Sequence, residues 1–369
     1  MKHILFGNGL VIQFSGSRYT NSSIIMRSLE KVESGDFPSH LYPKECASLL
    51  QALHGEYELV LRGDYDRYAV AGFERSALAD FKRRYSKKPR MAIDEVGFED
   101  YFLIFELLHN KLGVGNPDRF HSRGVLRRML LDSIFDGGAI QIVYQRFPRG
   151  LIDLVAEHDS VFTTNYDQNL ESVCDNEVFH LHGAFHVLSE TYDPNSFRNQ
   201  LSDDLLDGEK VDPDYPHLYS DCLLSYVSEL KSYSMRQSDL ANSAMEKFAE
   251  AYRTDSSIRR QIDDWDEGPS LVRRLREAIR LKVDRPELSH QQQYPSGKLL
   301  EISGMLTIIG LSPNNDNHVF AEIMENGAIS SVDYYCFSGA ESKEALALLE
   351  GKDVSTRDVR ELWRTLEED

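Results

Sequence analysis

Cysteine is scarce in this chain, and the few cysteines that it has are never paired. Only four occur in 369 residues, Cys46, Cys174, Cys222 and Cys336, and none forms a C-x-x-C motif with another. Structural zinc modules need such closely spaced pairs, and disulfide frameworks are typical of short chains that are dense in cysteine. The sequence therefore predicts neither, and we expect free thiols, as in a reducing cytosol.

Long apolar runs and an excess of positive charge are absent as well. No stretch approaches the roughly 18 apolar residues of a membrane helix, and the apolar run near the N-terminus is too short for a signal peptide. The 41 lysines and arginines against 60 acidic residues give a net charge of −19. Because gripping a nucleic-acid backbone needs a concentrated positive field, we expect no nucleic acid as the main ligand, no membrane association and a cytoplasmic location.

Apolar segments that predict strands occur at both ends of the chain and in its middle, and helical patterns separate them. The length allows one large domain with an insertion, or two domains. The expected fold class is α/β, with a Rossmann-like parallel sheet interrupted by helical insertions. Ligands of such sheets bind beyond the carboxyl ends of the strands, so the residues that follow each strand are the candidates. The predicted strands are residues 3–6, 57–61, 160–164, 178–181, 305–309 and 332–337.

Two glycines flank one asparagine directly after the first predicted strand, as Gly7-Asn8-Gly9. Such a loop can turn tightly and present N–H groups to a phosphate. The third glycine of a dinucleotide fingerprint is missing, since Ile12 stands at its position. Alone, this loop predicts no more than a turn.

Four polar side chains lie at the end of the strand at 160–164 and directly after it, within Thr163-Thr164-Asn165-Tyr166-Asp167. A helix cap would explain either Asn165 or Asp167. It does not explain two threonines, an asparagine and an aspartate together. The segment therefore predicts part of a site.

Three histidines follow the next strand in an H-x-H-x-x-x-H pattern, His180, His182 and His186, with Gly183 among them. Three interpretations stay open at this point. The histidines could hold a metal ion, one of them could be catalytic beside the glycine, or all could be structural.

The strand at 305–309 is followed by Gly310-Leu311-Ser312 and then by polar residues that include Asp316 and His318. A glycine and a serine at the end of a strand, before a helix, could bind ribose hydroxyls or phosphate. A loop with a helix cap is the plain alternative.

In their order along the chain, these four segments resemble the sirtuin-like family. The segment 164–167 is similar to the family's glutamine-asparagine-x-aspartate motif, and Leu181-His182-Gly183 is similar to its histidine-glycine motif. Gly310-Leu311-Ser312 with Asp316 resembles the glycine-x-serine segment that meets the adenosine ribose. The loop at 7–9 lies where sirtuins carry a glycine-alanine-glycine loop, in a form more like the bacterial abortive-infection branches. The resemblance implies a sheet of sirtuin-like type.

Two departures from the family pattern shape what the resemblance implies. Protein-deacylating sirtuins carry a four-cysteine zinc module, which nothing here can supply, so we expect no zinc and no deacylation. Thr164 replaces the glutamine of the motif, as in bacterial defence-type members. The chemistry implied for those members is hydrolysis of NAD to nicotinamide and ADP-ribose, as an effector of anti-phage defence that depletes NAD.

The resemblance also implies a role for each matched residue. Asn165 would position water or the ribose, His182 would act as a base on a ribose hydroxyl, and Asp167 would orient the site. No metal is assigned. The residues that would bind NAD are Gly7, Asn8 and Gly9 at the diphosphate, Gly310, Ser312 and Asp316 at the adenosine side, and Thr164 and Gly183 beside the catalytic residues.

The predicted domain division follows the motifs. Residues 1–189 and 296–369 form the NAD-binding domain, with a helical insertion at about 65–150, and residues 190–295 form an acidic loop and a helical insertion for interaction or regulation. Because unrestrained NAD hydrolysis is toxic, we expect control by homo-oligomerisation, a partner ATPase or a phage-derived trigger. The alternatives are a catalytically silent sensor of NAD or ADP-ribose and a metal-dependent hydrolase that uses His180, His182 and His186.

Overall fold

The computed structural model describes residues 1–42, 48–115, 118–200, 211–224, 228–267, 270–291 and 294–368. The chain divides into two compact units. The first unit comprises Met1–Ala184, Cys222–Ser232 and Pro295–Asp369, and the second comprises Phe185–Asp221 and Tyr233–Tyr294. Residues 222–232, which the sequence placed in the insertion, thus belong to the first unit.

A single six-stranded sheet forms the centre of the first unit, and all its strand pairs are parallel. The strand order is β3-β2-β1-β4-β5-β6. The predicted α/β class with a Rossmann-like parallel sheet is therefore confirmed. The strands are β1 Lys2–Phe6, β2 Ser160–Thr163, β3 Val178–His180, β4 Gly304–Ile309, β5 Ile329–Cys336 and β6 Asp353–Asp358.

The burial of each strand follows its place in the sheet. β1 is buried over four consecutive residues, as expected of a central strand that helices cover on both faces. β6 lies at the edge, and its sequence DVSTRD alternates between exposed and half-buried residues. The apolar pattern predicted the first five strands but not β6, because a polar edge strand carries no apolar signal.

Seventeen α-helices occur in the described residues, and fewer than half of them were predicted individually. The strand predicted at residues 57–61 is wrong, because Tyr57–Arg62 is a helix that buries Tyr57 and Val60, three residues apart. Short apolar runs fit either structure, and only the spacing of the buried residues separates them. The helices of the first unit are α1 Gly9–Ser15, α2 Asn21–Ser34, α3 Leu49–Gly55, α4 Tyr57–Arg62, α5 Gly72–Tyr85, α6 Asp100–Leu112, α7 Asp118–Phe135 and α8 Arg149–Ala156, and, nearer the C-terminus, α14 Ser296–Glu301, α15 Asn317–Glu325, α16 Gly339–Leu348 and α17 Val359–Glu368.

The second unit is helical, as predicted for most of the insertion. Its core contains Phe197, Met245, Ile262, Ala278 and Ile279. The segment predicted as an acidic surface loop is only partly so, because Phe197 is buried in that core, and residues 201–210 lie outside the described residues. The helices are α9 Phe197–Gln200, α10 Ser228–Met235, which begins in the first unit, α11 Gln237–Thr254, α12 Ser256–Asp263 and α13 Ser270–Asp284.

Short 3-10 helices connect several of these elements. They are Gly16–Tyr19, Asp66–Tyr68, Ile93–Glu95, Asp136–Arg146, Glu190–Tyr192, Pro216–Tyr219 and Asp264–Glu267.

Two expectations from the sequence concern absences. Cys174, Cys222 and Cys336 are free thiols, as predicted, and Cys46 lies outside the described residues. Among the helices described above, none combines the length and apolar character needed to cross a membrane.

Candidate functional site

An opening in the first unit lies at the point where the sheet changes direction. The chain builds the sheet outward from β1 on one side and from β4 on the other. The loops that leave the carboxyl ends of β1 and β4 therefore diverge, and they create a crevice. A cavity of about 530 Å³ lies there, which is within the usual range for a small-molecule site.

Two walls form much of the lining of the cavity, and other lining residues, among them Gln13 and Glu341, lie outside these walls. The sheet wall consists of residues that follow the first four strands, and the helix wall consists of residues from the helical parts of the unit. The sheet wall contains Asn8, Gly9, Thr164, Asn165, Tyr166, Asp167, His182, Gly310, Leu311, Ser312, Asn314, Asn315 and Asp316. The helix wall contains Arg84, Gly97, Phe98, Glu99, Asp100 and Lys231.

Glycine is required in the sheet wall because two backbones touch there. A Cβ on Gly7 would lie 2.4 Å from the carbonyl oxygen of Gly310, and a Cβ on Gly9 would lie 2.6 Å from the Cα of Gly310. Gly310 itself has a φ of 69°, which favours glycine. The Gly7 N–H donates to the carbonyl of Ile309 and the Gly9 N–H donates to that of Gly310. These two N–H groups therefore hold the β1 and β4 loops together, so they are not free for the diphosphate contact that the resemblance implies.

The loop after β2 directs an asparagine and an aspartate into the cavity. No helix follows it in residues 164–177, which form turns, so neither residue is a helix cap. The Asn165 N–H donates to Oγ1 of Thr163 at 3.0 Å, and the Asn165 carbonyl contacts Nδ1 of His180 at 2.8 Å. The backbone of Asn165 is thus fixed from both sides, and its side chain is left for the cavity.

Asp167 is a buried carboxylate that is only half satisfied. Its Oδ1 accepts hydrogen bonds from the backbone N–H and the side-chain amide of Asn169. Its Oδ2 is buried without a hydrogen-bond partner. Burial raises the pKa of Asp167 to about 6, although the bonds from Asn169 act in the opposite direction.

His182 follows β3 and faces a second histidine that the motif did not include. Its Nε2 lies 2.8 Å from Nε2 of His318, and the two rings stack at 25° with centroids 5.0 Å apart. Gly183, with a φ of 77°, turns the chain directly afterwards. Burial lowers the pKa of both histidines well below the usual value, and the charge of Lys231 adds to this effect. Both rings are therefore neutral at pH 7.

His180 is not among the residues that line the cavity, but it contacts the backbone of Asn165, which does line it. Its Nδ1 contacts the Asn165 carbonyl and its Nε2 contacts Oε1 of Glu171 at 2.6 Å. Burial alone lowers the pKa of His180, but the hydrogen bond and charge of Glu171 outweigh it and raise the pKa overall. Because both ring nitrogens are engaged, His180 does not fit the metal site of His180, His182 and His186 that the sequence left as an alternative. His186 itself is exposed and belongs to the second unit.

Asp316 stands at the start of α15, two residues before His318. Its N–H donates to the carbonyl of Ser312 at 2.9 Å, and its side chain makes no cap bond. Burial raises the pKa of Asp316 to about 6, against a smaller lowering by Lys231. One ligand atom from each of His182, Asp316 and His318 lies within 4.8 Å of the others, a spacing that a metal ion could bridge.

The helix wall contains two ion pairs. Arg84 donates two hydrogen bonds to the carboxylate of Asp100, at 2.6 and 2.7 Å, and Tyr85 donates a third at 2.7 Å. Lys231 donates to Oε1 of Glu99 at 2.5 Å. Burial raises the pKa of Glu99 to about 7, although Lys231 opposes the shift. Both cations of this wall are therefore already paired.

Three buried polar atoms beside the cavity have no partner in the described structure. They are Nδ2 of Asn165, Oδ2 of Asp167 and Nδ1 of His318. Buried polar groups in native proteins are nearly always hydrogen-bonded, and a bound molecule is a common reason for an exception. Asn165 and Asp167 line the cavity, so their two atoms are available to a polar ligand there.

The structure brings most of the predicted residues together. Nine line the cavity: Asn8, Gly9, Thr164, Asn165, Asp167, His182, Gly310, Ser312 and Asp316. Gly7 and Gly183 shape the loops beside it. Sequence reasoning missed Glu99 and Lys231, which no strand or motif marks. It noted His318 but gave it no role, although the spacing Asp316-x-His318 on a helix start was a usable signal.

Comparisons with known proteins give no match: no family model, no curated protein and no solved structure matches this chain. The geometry of the cavity and the resemblance of its motifs are therefore the grounds for a functional argument.

Proposed function

We propose that this protein is a sirtuin-like NAD hydrolase, which cleaves NAD to nicotinamide and ADP-ribose. One observation carries the proposal. Asn165, Asp167 and His182, at the ends of neighbouring strands, meet Ser312 and Asp316 in a single cavity at the direction change of a parallel sheet. Motifs that resemble one family only as short segments thus share one site, in the crevice where such sheets bind dinucleotides.

Cleavage of NAD to nicotinamide and ADP-ribose requires little acid catalysis from the protein. Nicotinamide leaves as a neutral molecule from a cationic ring, so no strong general acid is needed. The site must instead hold the ribose and position a water molecule. In this proposal the unpartnered amide of Asn165 donates to the ribose or to that water.

His182 is neutral in the site, so one of its ring nitrogens carries a lone pair that can accept a proton. Burial keeps its pKa low, and one of its ring nitrogens is engaged with His318. In this proposal the other ring nitrogen takes the proton of a ribose hydroxyl, and His318 holds the ring in position. The free oxygen of Asp167 accepts a hydrogen bond from the ribose or the water and so fixes their orientation.

The diphosphate needs partners other than the N–H groups of Gly7 and Gly9, which are already bonded. Carboxylates outnumber cations along the cavity, so neutral donors are the better partners for a dianion. We assign the diphosphate to the hydroxyl and amide groups of Gln13, Ser312 and Asn315, which line the cavity.

Nicotinamide release from NAD by the purified protein tests the proposal. Asn165→Ala and His182→Ala should each lower the rate by about 10²–10⁴-fold, as is usual when an acid–base or positioning group is removed. His121→Ala, at an exposed histidine, is the control and should keep the wild-type rate. Unchanged turnover in both site variants would overturn the assignment. Tight NAD binding without nicotinamide release would identify a sensor instead of an enzyme.

The resemblance extends the proposal to a regulated effector of anti-phage defence. Unrestrained NAD hydrolysis would harm the cell, so the activity should depend on assembly, a partner ATPase or a phage-derived trigger. Rates measured across protein concentration, with the oligomeric state determined in parallel, test this. Constant full activity of an isolated monomer would contradict it.

A further inference from the structure

We propose that His182, His318 and Asp316 form a binding site for a divalent transition-metal ion of the zinc class. This ligand set differs from the histidine run predicted from the sequence, and it was not visible there because His182 and His318 lie 136 residues apart. It also departs from the expectation that the site holds no metal.

The geometry is close to that of a bound ion. The two Nε2 atoms are 2.8 Å apart, so one ring donates its N–H and the other presents a lone pair between them. Two nitrogens at 2.0–2.1 Å from a tetrahedral zinc ion would lie about 3.3 Å apart. Transfer of one proton from Nε2 to Nδ1 of the same ring and a separation of about 0.5 Å therefore convert this hydrogen bond into two metal bonds from neutral imidazoles.

Asp316 is the third ligand, and it completes a set of two histidines and one carboxylate. A carboxylate oxygen of Asp316 lies within 4.8 Å of the histidine nitrogens, two residues before His318 on the start of α15. Two histidines and one carboxylate suit zinc and leave a fourth position for water or a ligand. Since Asp316 lines the cavity, that position can open toward it.

The charges around the cluster also favour a cation. Five carboxylates line the cavity, Glu99, Asp100, Asp167, Asp316 and Glu341, against two cations. Arg84 is paired with Asp100, and Lys231 is paired with Glu99 at 2.5 Å. Lys231, whose charge lowers the pKa of both histidines, is thus paired with a carboxylate, and the carboxylate of Asp316 is left to balance an ion.

Metal binding and NAD hydrolysis should exclude each other. An ion on Nε2 of His182 withdraws electrons from the ring that would act as base, and it occupies Asp316. Zinc should therefore inhibit nicotinamide release, and a chelator should restore it. This second step rests on the proposed function, whereas the metal site does not.

Cobalt(II) provides a direct readout of the site, since its visible absorption reports tetrahedral coordination. Titration of the metal-free protein should give one bound equivalent with that spectrum. His318→Ala and Asp316→Asn should each weaken binding by at least about 100-fold, because loss of an outer-shell partner alone costs 10–100-fold. His121→Ala and Asp175→Asn, at exposed positions, should bind as the wild type does.

A second measurement distinguishes loss of metal binding from poor folding of a variant. Zinc should raise the unfolding midpoint of the wild type and of the two controls, and it should leave that of His318→Ala unchanged. Absence of bound cobalt, or equal binding by His318→Ala, would overturn the metal site. If no condition yields nicotinamide but the cobalt spectrum appears, the metal site stands and the NAD hydrolase proposal fails.

Discussion

The buried carboxylates of the two cavity walls differ in how completely they are hydrogen-bonded. On the helix wall, Asp100 receives two hydrogen bonds from Arg84 and one from Tyr85, so its carboxylate is fully satisfied. On the sheet wall, Asp167 receives bonds on one oxygen only, and its other oxygen is buried without a partner. A satisfied charge stabilises a fold, whereas an unsatisfied one lowers stability and is kept where a ligand uses it. We therefore expect the helix wall to support the fold and the sheet wall to contact the ligand.

Breaking the helix wall should have the largest effect on stability. Arg84→Met leaves the carboxylate of Asp100 buried without its cation, and loss of one partner from a buried pair costs about 3–5 kcal/mol. Urea unfolding measures the change. Arg149→Met, which removes the arginine of an exposed pair with Asp153, should change the free energy of unfolding by less than about 0.5 kcal/mol. Equal effects of the two variants would show that the helix wall is not a supporting element.

The close packing of the sheet wall can be tested with a single methyl group. Gly7→Ala places a Cβ 2.4 Å from the carbonyl oxygen of Gly310, so we expect a loss of about 3 kcal/mol, at the upper end for overpacking. Gly55→Ala meets no atom within 4 Å and should change stability by less than about 1 kcal/mol. If Gly7→Ala unfolds at the wild-type urea concentration, the two loops are not packed as described.

These contacts show what the sequence could and could not predict. The loops after β1, β2, β3 and β4 could be placed together from the sequence, because the carboxyl ends of parallel strands share one edge. The contact of Gly7 with Gly310 was beyond prediction, since it depends on the distance between two backbones. Lys231 and Glu99 were missed for the same reason: helical segments carry no rule that fixes which of their faces meets a sheet edge.

Asp167→Asn should separate stability from activity on the sheet wall. The substitution keeps the oxygen that accepts from Asn169 and removes a buried charge. A pKa of about 6 instead of the usual 3.8 corresponds to a gain of about 3 kcal/mol in the free energy of unfolding at pH 7.5. The same variant should lose nicotinamide release. A loss of stability would mean that the carboxylate is required by the fold, as Asp100 is.

The pH dependence of that gain in stability is the prediction with the smallest expected effect. The raised pKa means that folded protein holds the Asp167 proton more tightly than unfolded protein does. The contribution of Asp167 to stability is thus full below about pH 4 and is lost as the pH rises through 6. The difference between Asp167→Asn and wild type should be near zero at pH 4 and reach its plateau above pH 6, in urea titrations at several pH values. A difference that is constant with pH would exclude the raised pKa.

The glycine contact between the β1 and β4 loops has a consequence for how a ligand enters. Gly7 and Gly9 donate to carbonyls across the gap between the loops, so the loops cannot separate unless those bonds break. One side of the cavity is thereby fixed in width. Any opening must therefore come from other parts of the lining, such as the segment 97–100, Lys231 or the residues of α16 and α17, and these parts would set the rate of ligand entry and exit.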